Sequence, residues 1–283
     1  MENTHAFKAS LHAPFGLLIT PGFAGQTAEQ LDVEVLKQLA REHHLLILRG
    51  FAPTFVDSAS FTRFAEQWGE IKMWPFGAVL DVKEHPDATD HIFDHSLVPL
   101  HWDGMYKPTI PEFQLFNCLF APGEDEGGRT TFLDTQGLLA RTPKAVIERW
   151  RRISVTYRIR QVVHYGGQVC SPLLVEHPRT GRTVLRYNEP AQDGVRFLNR
   201  HALHYHGLSP EQVQGFEEDL QARLHDPRVY YRHAWQQNDV VIADNFSLLH
   251  GREAFTARSA RHLQRVHIHA NPVCHNSALQ PQG

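Results

Sequence analysis

The stretch Phe113–Phe120 reads Phe-Gln-Leu-Phe-Asn-Cys-Leu-Phe, apolar at nearly every position. A strand with that composition is covered on both of its faces. Around it lie other short runs between turn residues: His44–Leu48, Phe76–Val82, the alternating Ile153–Arg160, Thr183–Tyr187, Asp239–Ala243 and Arg261–His269. Helices are few. Thr27 and Gln30 have capping-box spacing, after which Leu31, Val35 and Leu39 share one helical face. Phe61, Phe64, Ala65 and Trp68 mark a second helix. Ser209-Pro210 with Gln212 opens a third, which runs to about Leu224 with Val213, Phe216 and Leu220 inside. Many short strands with a few peripheral helices predict a mainly β, double-sheet jelly roll rather than a βαβ repeat.

No repeat or linker divides the 283 residues, so a single domain over 1–283 is expected. With 42% hydrophobic and 21% charged residues the chain reads as globular. The net charge of −3 hides an asymmetry: residues 1–128 carry −10 and residues 129–283 carry +7. The arginines behind that excess are scattered singly, which does not suit nucleic acid. Three well-separated cysteines argue against disulfides and cysteine zinc sites. The absence of an apolar run near ~20 residues or of an amino-terminal signal stretch makes a cytoplasmic protein, off the membrane, the expectation.

Histidine is the unusual residue, with 20 copies. A His-x-Asp pair on a strand can aim both side chains at one metal, but about one such pair is expected by chance. Two occur. His85-Pro86-Asp87 lies in a polar, proline-broken stretch that reads as surface loop. His101-Trp102-Asp103 follows Val98-Pro99-Leu100 and precedes Gly104-Met105-Tyr106, and an ionised carboxylate in such company needs a partner. His201, His204 and His206 lack an accompanying carboxylate and read as a polar surface turn. His43 and His44 would face opposite sides of a strand. His267 and His269 share a face with Arg261 and Arg265, and read as structural or as supports for other side chains. His250, in the stretch Asn238–Arg252, would alone pass for a core histidine. Two arginines on one face, however, suit carboxylates held in bidentate fashion.

His101-Trp102-Asp103, Gly127-Gly128-Arg129-Thr130, Asp244-Asn245 leading to His250, and Arg261-His262-Leu263-Gln264-Arg265 resemble the ordered motifs of the taurine dioxygenase (TauD/TfdA) family. Arg129, where the family usually has an acidic residue, and Ala243, where it usually has Trp, depart from the pattern. The resemblance implies a double-stranded β-helix, cupin-like, that uses iron(II) with 2-oxoglutarate and O2 as cosubstrates. It implies His101, Asp103 and His250 as metal ligands, two imidazoles and a carboxylate that leave adjacent positions open. Arg261, assisted by Thr130, would grip the distal carboxylate of 2-oxoglutarate. Arg265 would meet a substrate or cosubstrate carboxylate, or serve as a structural ion-pair partner.

Trp74–Leu80, His101–Tyr106, Ala243–Phe255 and Arg261–Ala270 are similar, more closely, to the PvcB-type oxygenases of isonitrile biosynthesis. These desaturate a tyrosine-derived isonitrile with or without loss of its carboxylate. Trp74, Phe76 and Tyr106 are then candidates for the substrate slot, with Lys72 a further carboxylate anchor or simply a solvated side chain. A TauD-like hydroxylase of another small carboxylate or sulfonate is the alternative. A zinc hydrolase or lyase, and a non-catalytic β-sandwich binding protein, are the readings from other classes. A homo-oligomer is compatible with all of them.

Overall fold

The computed structural model describes residues 6–279 except 86, 124, 163–164, 192–193, 195–197, 199 and 257–259, and for 161, 162 and 165 the backbone alone. The first half of the chain holds β1 (Phe7–Leu11), β2 (Leu17–Pro21), α1 (Val33–His43), β3 (Leu45–Leu48), α2 (Ser58–Trp68), β4 (Leu80–Lys83), β5 (Val98–His101), β6 (Thr109–Phe120) and β7 (Thr130–Asp134). Then come α3 (Thr135–Arg141), α4 (Lys144–Trp150), β8 (Ser154–Val162), β9 (Tyr165–Pro172), β10 (Leu174–Glu176), β11 (Thr183–Leu185) and β12 (Ala202–His206). The last part holds α5 (Pro210–Leu224), β13 (Tyr230–His233), β14 (Val240–Asp244), β15 (Leu248–Arg252) and β16 (His262–His275).

Seven strands form the large sheet in the order β1-β2-β3-β14-β6-β16-β4, and four form a smaller one, β13-β7-β15-β5. Their shared core holds Ile47, Phe116, Val241 and Leu263 from the large sheet with Phe132 and Leu248 from the small. This is the expected jelly roll. The pleat sorts the large sheet's residues: Phe113, Leu115, Val240, Ile242, Val266 and Ile268 pack with the buried side chains of α1 and α2 on the outer face. Phe61 and Phe64 of α2 are wholly buried there, each stabilising the fold by roughly 1.5–3 kcal/mol relative to exposure. The alternate residues of β6 and β16 therefore face inward, and Gln114, Arg265 and His267 are among them. A third core covers the other side of the small sheet with α3–α5 and the sheet β12-β8-β9.

Several local expectations shift. Thr27 caps only a short 3-10 turn, Ala28–Gln30, and Asp32 caps α1 by accepting from Glu34 and Val35. The break at Leu31 resets the helical phase, so Val33, Leu36 and Ala40 face inward and Val35 is exposed. His43 ends α1, and His44 is its left-handed cap (φ 66°) rather than the start of a strand. Residues 76–79 precede β4 because Trp74 and Gly77 close a tight turn through paired backbone hydrogen bonds. Among the described residues no helix is long and apolar enough to cross a membrane.

Candidate active site

His101 ends β5 and His250 sits in β15, where antiparallel pairing makes the two residues cross-strand partners. Asp103 lies just past the strand, so a turn rather than strand alternation brings it beside His101. Gly104 makes that turn at φ +93°, and a Cβ there would meet Ile110 and Pro111 atoms at 2.9 Å. Ligand atoms of His101, Asp103 and His250 all fall within 4.8 Å of one another. His101 Nε2 is 3.8 Å from Asp103 Oδ1, and His250 Nε2 is 3.7 Å from Asp103 Oδ2.

Chemistry of the donor set fits a divalent metal. The Pro99 carbonyl takes a hydrogen bond from His101 Nδ1 at 2.9 Å, which leaves Nε2 with its lone pair toward Asp103. His250 Nε2 is buried and has no hydrogen-bond partner among the described residues. Such an atom ordinarily costs about 1–3 kcal/mol, which a bound cation would recover. Burial lowers the affinity of both imidazoles for protons. Burial would raise Asp103, yet Arg265, His267 and His250 outweigh it and hold the carboxyl well below its ordinary range. Neutral imidazoles and an ionised carboxylate are the forms that ligate.

One cavity opens over this trio, and Thr130, Arg261, Arg265, Trp74, Phe76 and Tyr106, singled out for cosubstrate or substrate, line it. Arg261 is 2% exposed; its Nη1 donates to the Gly128 carbonyl at 2.8 Å, and its guanidinium lies 4.9 Å from the Phe255 ring centroid. Burial first, then the nearby Arg252, push its proton affinity well down, so an incoming anion would relieve it. Gly128 is required beside it, because a Cβ would stand 2.0 Å from the Phe255 ring. Trp235 Nε1 donates to Thr130 Oγ1 at 2.9 Å, leaving the hydroxyl proton for an acceptor. Arg265 is not idle: its Nη1 lies 3.0 Å from Asp103 Oδ2. The two departures from the family pattern lie apart: Arg129 is partly exposed near Glu253, and Ala243 is buried in β14.

Trp74 stacks on Phe76 with centroids 6.0 Å apart and planes 7° from parallel. Lys72 neither lines the cavity nor reaches solvent. It is 6% exposed and donates to the Thr109 carbonyl and hydroxyl, and burial lowers its pKa to about 8. The reading of His201 as surface turn fails. Its ring reaches the cavity wall, with Nδ1 2.7 Å from the Tyr106 hydroxyl and Nε2 3.2 Å from Asn188 Nδ2. Burial, with His101 second, brings it down to about 4. His204 and His206 instead alternate on β12 with exposed side chains, and His85 and Asp87 are exposed too.

Sequence reasoning also missed Arg252. It donates to the carbonyls of His91, Ile92, Asp94 and Ser96, tying down the segment whose His91, Ile92 and Phe93 line the cavity. A lone arginine directly after an apolar strand was the available signal.

Comparison with known proteins agrees with this geometry. Residues 9–267 match the family model described as taurine catabolism dioxygenase TauD, TfdA family. Tyrosine isonitrile desaturase of Pseudomonas aeruginosa is 48% identical over 267 residues, 94% of this chain and 91% of that protein. The crystal structure of PvcB from Pseudomonas aeruginosa superposes with a TM-score of 0.84 at 42% identity, covering 100% of this chain and 98% of that one. A second structure, described as PvcB, an Fe, alpha-ketoglutarate dependent oxygenase from an isonitrile synthetic pathway, gives 0.83 at 42% identity over 99% and 97% of the two chains. The chain belongs to the TauD/TfdA family of dioxygenases.

Proposed function

We propose that this protein is an iron(II)- and 2-oxoglutarate-dependent oxygenase that desaturates a tyrosine-derived isonitrile. The observation that carries the reading is the His101, Asp103 and His250 trio at the wall of a cavity that also holds Arg261 and a stacked aromatic pair. A zinc hydrolase using the same three ligands would have no use for a buried, stressed Arg261 in that cavity. The 48% identical relative named for tyrosine isonitrile supports the substrate class.

In this reading His101, Asp103 and His250 would hold iron(II). When bound, the metal with 2-oxoglutarate and O2 supplies the oxidising equivalents for removing hydrogen from a C–H bond. Arg261 and the Thr130 hydroxyl hold the distal carboxylate of the cosubstrate. Trp74, Phe76 and Tyr106 contribute the slot for the aryl ring, and Arg265 is the cation available to the substrate carboxylate. Arg252 holds the 91–96 segment in place at the cavity wall through its carbonyls. The balance is one 2-oxoglutarate and one O2 consumed, with succinate, carbon dioxide and water formed as the substrate loses two hydrogens. Where the carboxylate is also lost, the substrate gives up one hydrogen and its carboxyl group, the elements of formic acid.

Anaerobic addition of ferrous iron and 2-oxoglutarate tests the metal centre. A visible charge-transfer band is expected with the wild-type protein and none with His101→Ala. Wild-type protein without a band, or active with zinc alone, overturns the reading.

A further inference from the structure

Asp103 presents its two carboxylate oxygens to different surroundings. Oδ2 receives two hydrogen bonds, from His267 Nε2 at 2.7 Å and Gln114 Nε2 at 2.9 Å, and pairs as an ion with Arg265 Nη1 at 3.0 Å. None of the hydrogen bonds found among the described residues reaches Oδ1, the oxygen that faces His101 Nε2 at 3.8 Å. The backbone of Asp103 is clamped as well. Asn245, just past β14, accepts from the Asp103 amide at 2.9 Å and donates to its carbonyl at 3.0 Å.

The donors arrive by strand register. His267 of β16 and Gln114 of β6 are paired across the large sheet, and both face inward, so their polar ends are delivered side by side to one oxygen. Arg265 is one pleat away on the same face. His267 is 1% exposed and packs 5.5 Å from the Trp74 ring, which leaves its imidazole little freedom. Its Nδ1 is buried without a hydrogen-bond partner among the described residues. With Nε2 directed at a carboxylate, the ring proton is used entirely on Asp103.

We propose that His267, seconded by Gln114, is a positioning residue that, by bonding Asp103 Oδ2, fixes the orientation in which the carboxylate would hold the metal. Two donors from rigid strands also keep Asp103 oriented if Arg265 leaves it for an anion in the cavity. Supports of this kind commonly change metal affinity by about 10–100-fold when removed. The inference rests on the reading of Asp103 as a metal ligand.

The test compares wild type, His267→Met and His267→Gln by anaerobic titration with ferrous iron, recording the charge-transfer band with 2-oxoglutarate. His267→Met should bind iron(II) about tenfold or more weakly and shift the band; His267→Gln, which restores an N–H donor, should recover most of both. Unchanged affinity and band in His267→Met overturn the proposal, as do equal losses in the two variants, which would mean ring packing alone. Should circular dichroism show that His267→Met is unfolded, Gln114→Met asks the same question from β6. A weakened iron(II) affinity with a shifted band supports positioning, and wild-type values refute it. Wild-type protein that gives no band at all fails the functional reading instead, so the two failures are distinct.

Discussion

His101 and His250 face each other across the β5–β15 ladder, with ring centroids 4.2 Å apart and planes inclined at 44°. Two neutral imidazoles so close, one with a buried Nε2 that has no hydrogen-bond partner among the described residues, describe a site built for something other than apo stability. Gln114 Nε2, which meets the Nδ1 of His250 at 3.3 Å, keeps Asp103 and Asn245 as acceptors, so an apolar side chain of similar size at 250 removes the unpartnered Nε2 and orphans no donor. His250→Leu should therefore bind no iron(II) yet melt, metal-free, at or above the wild-type temperature. Calorimetry of both apo proteins checks this; a fall of several degrees would show that His250 stabilises the fold.

Arg261 is expected to govern cosubstrate affinity alone. A charged hydrogen bond is worth about 1.5–3 kcal/mol, so Arg261→Gln should raise the KM for 2-oxoglutarate by about 10–100-fold. Iron(II) affinity measured without cosubstrate should stay near wild type. Steady-state kinetics and metal titration separate the two.

Loss of the Arg252 guanidinium removes the donors for four carbonyls in the 91–96 segment. Arg252→Met should destabilise the protein by about 2 kcal/mol or more. Amide exchange should quicken most in that segment. Uniform acceleration across both sheets would contradict a local clamp.

Acid stability has an identifiable contributor away from the site. Burial would raise Asp239, but its hydrogen bonds with Arg49 and His233 outweigh that and lower it. A depressed carboxyl stabilises the fold above the ordinary aspartate pKa of about 3.9, and that stability is lost as pH falls through the folded value. Urea unfolding between pH 6 and pH 3 should show a steeper loss for wild type than for Asp239→Asn, which starts less stable at pH 6. Parallel curves would exclude Asp239 as the cause.

The trio is legible in the order of the motifs, because a carboxylate and two arginines accompany only some of the histidines. Phe113–Phe120 likewise announces the central strand, β6. His201 is hidden. Nothing local distinguishes it from His204 and His206, and only tertiary packing beside Tyr106 and Asn188 takes it to the cavity. Lys72 misleads for a related reason: a single lysine reads as solvated, yet Thr109 satisfies it in the interior. The two donors and the ion-paired Arg265 at Asp103 Oδ2 depend on the register of β6 against β16, a long-range relation that composition and period do not encode.

The most direct test of the central claim is mass analysis of the product formed from tyrosine isonitrile with iron(II), 2-oxoglutarate and O2. The account predicts a product lighter by two hydrogens or by the elements of formic acid, with succinate formed in step. A product that has only gained an oxygen atom would contradict desaturation and favour a hydroxylase.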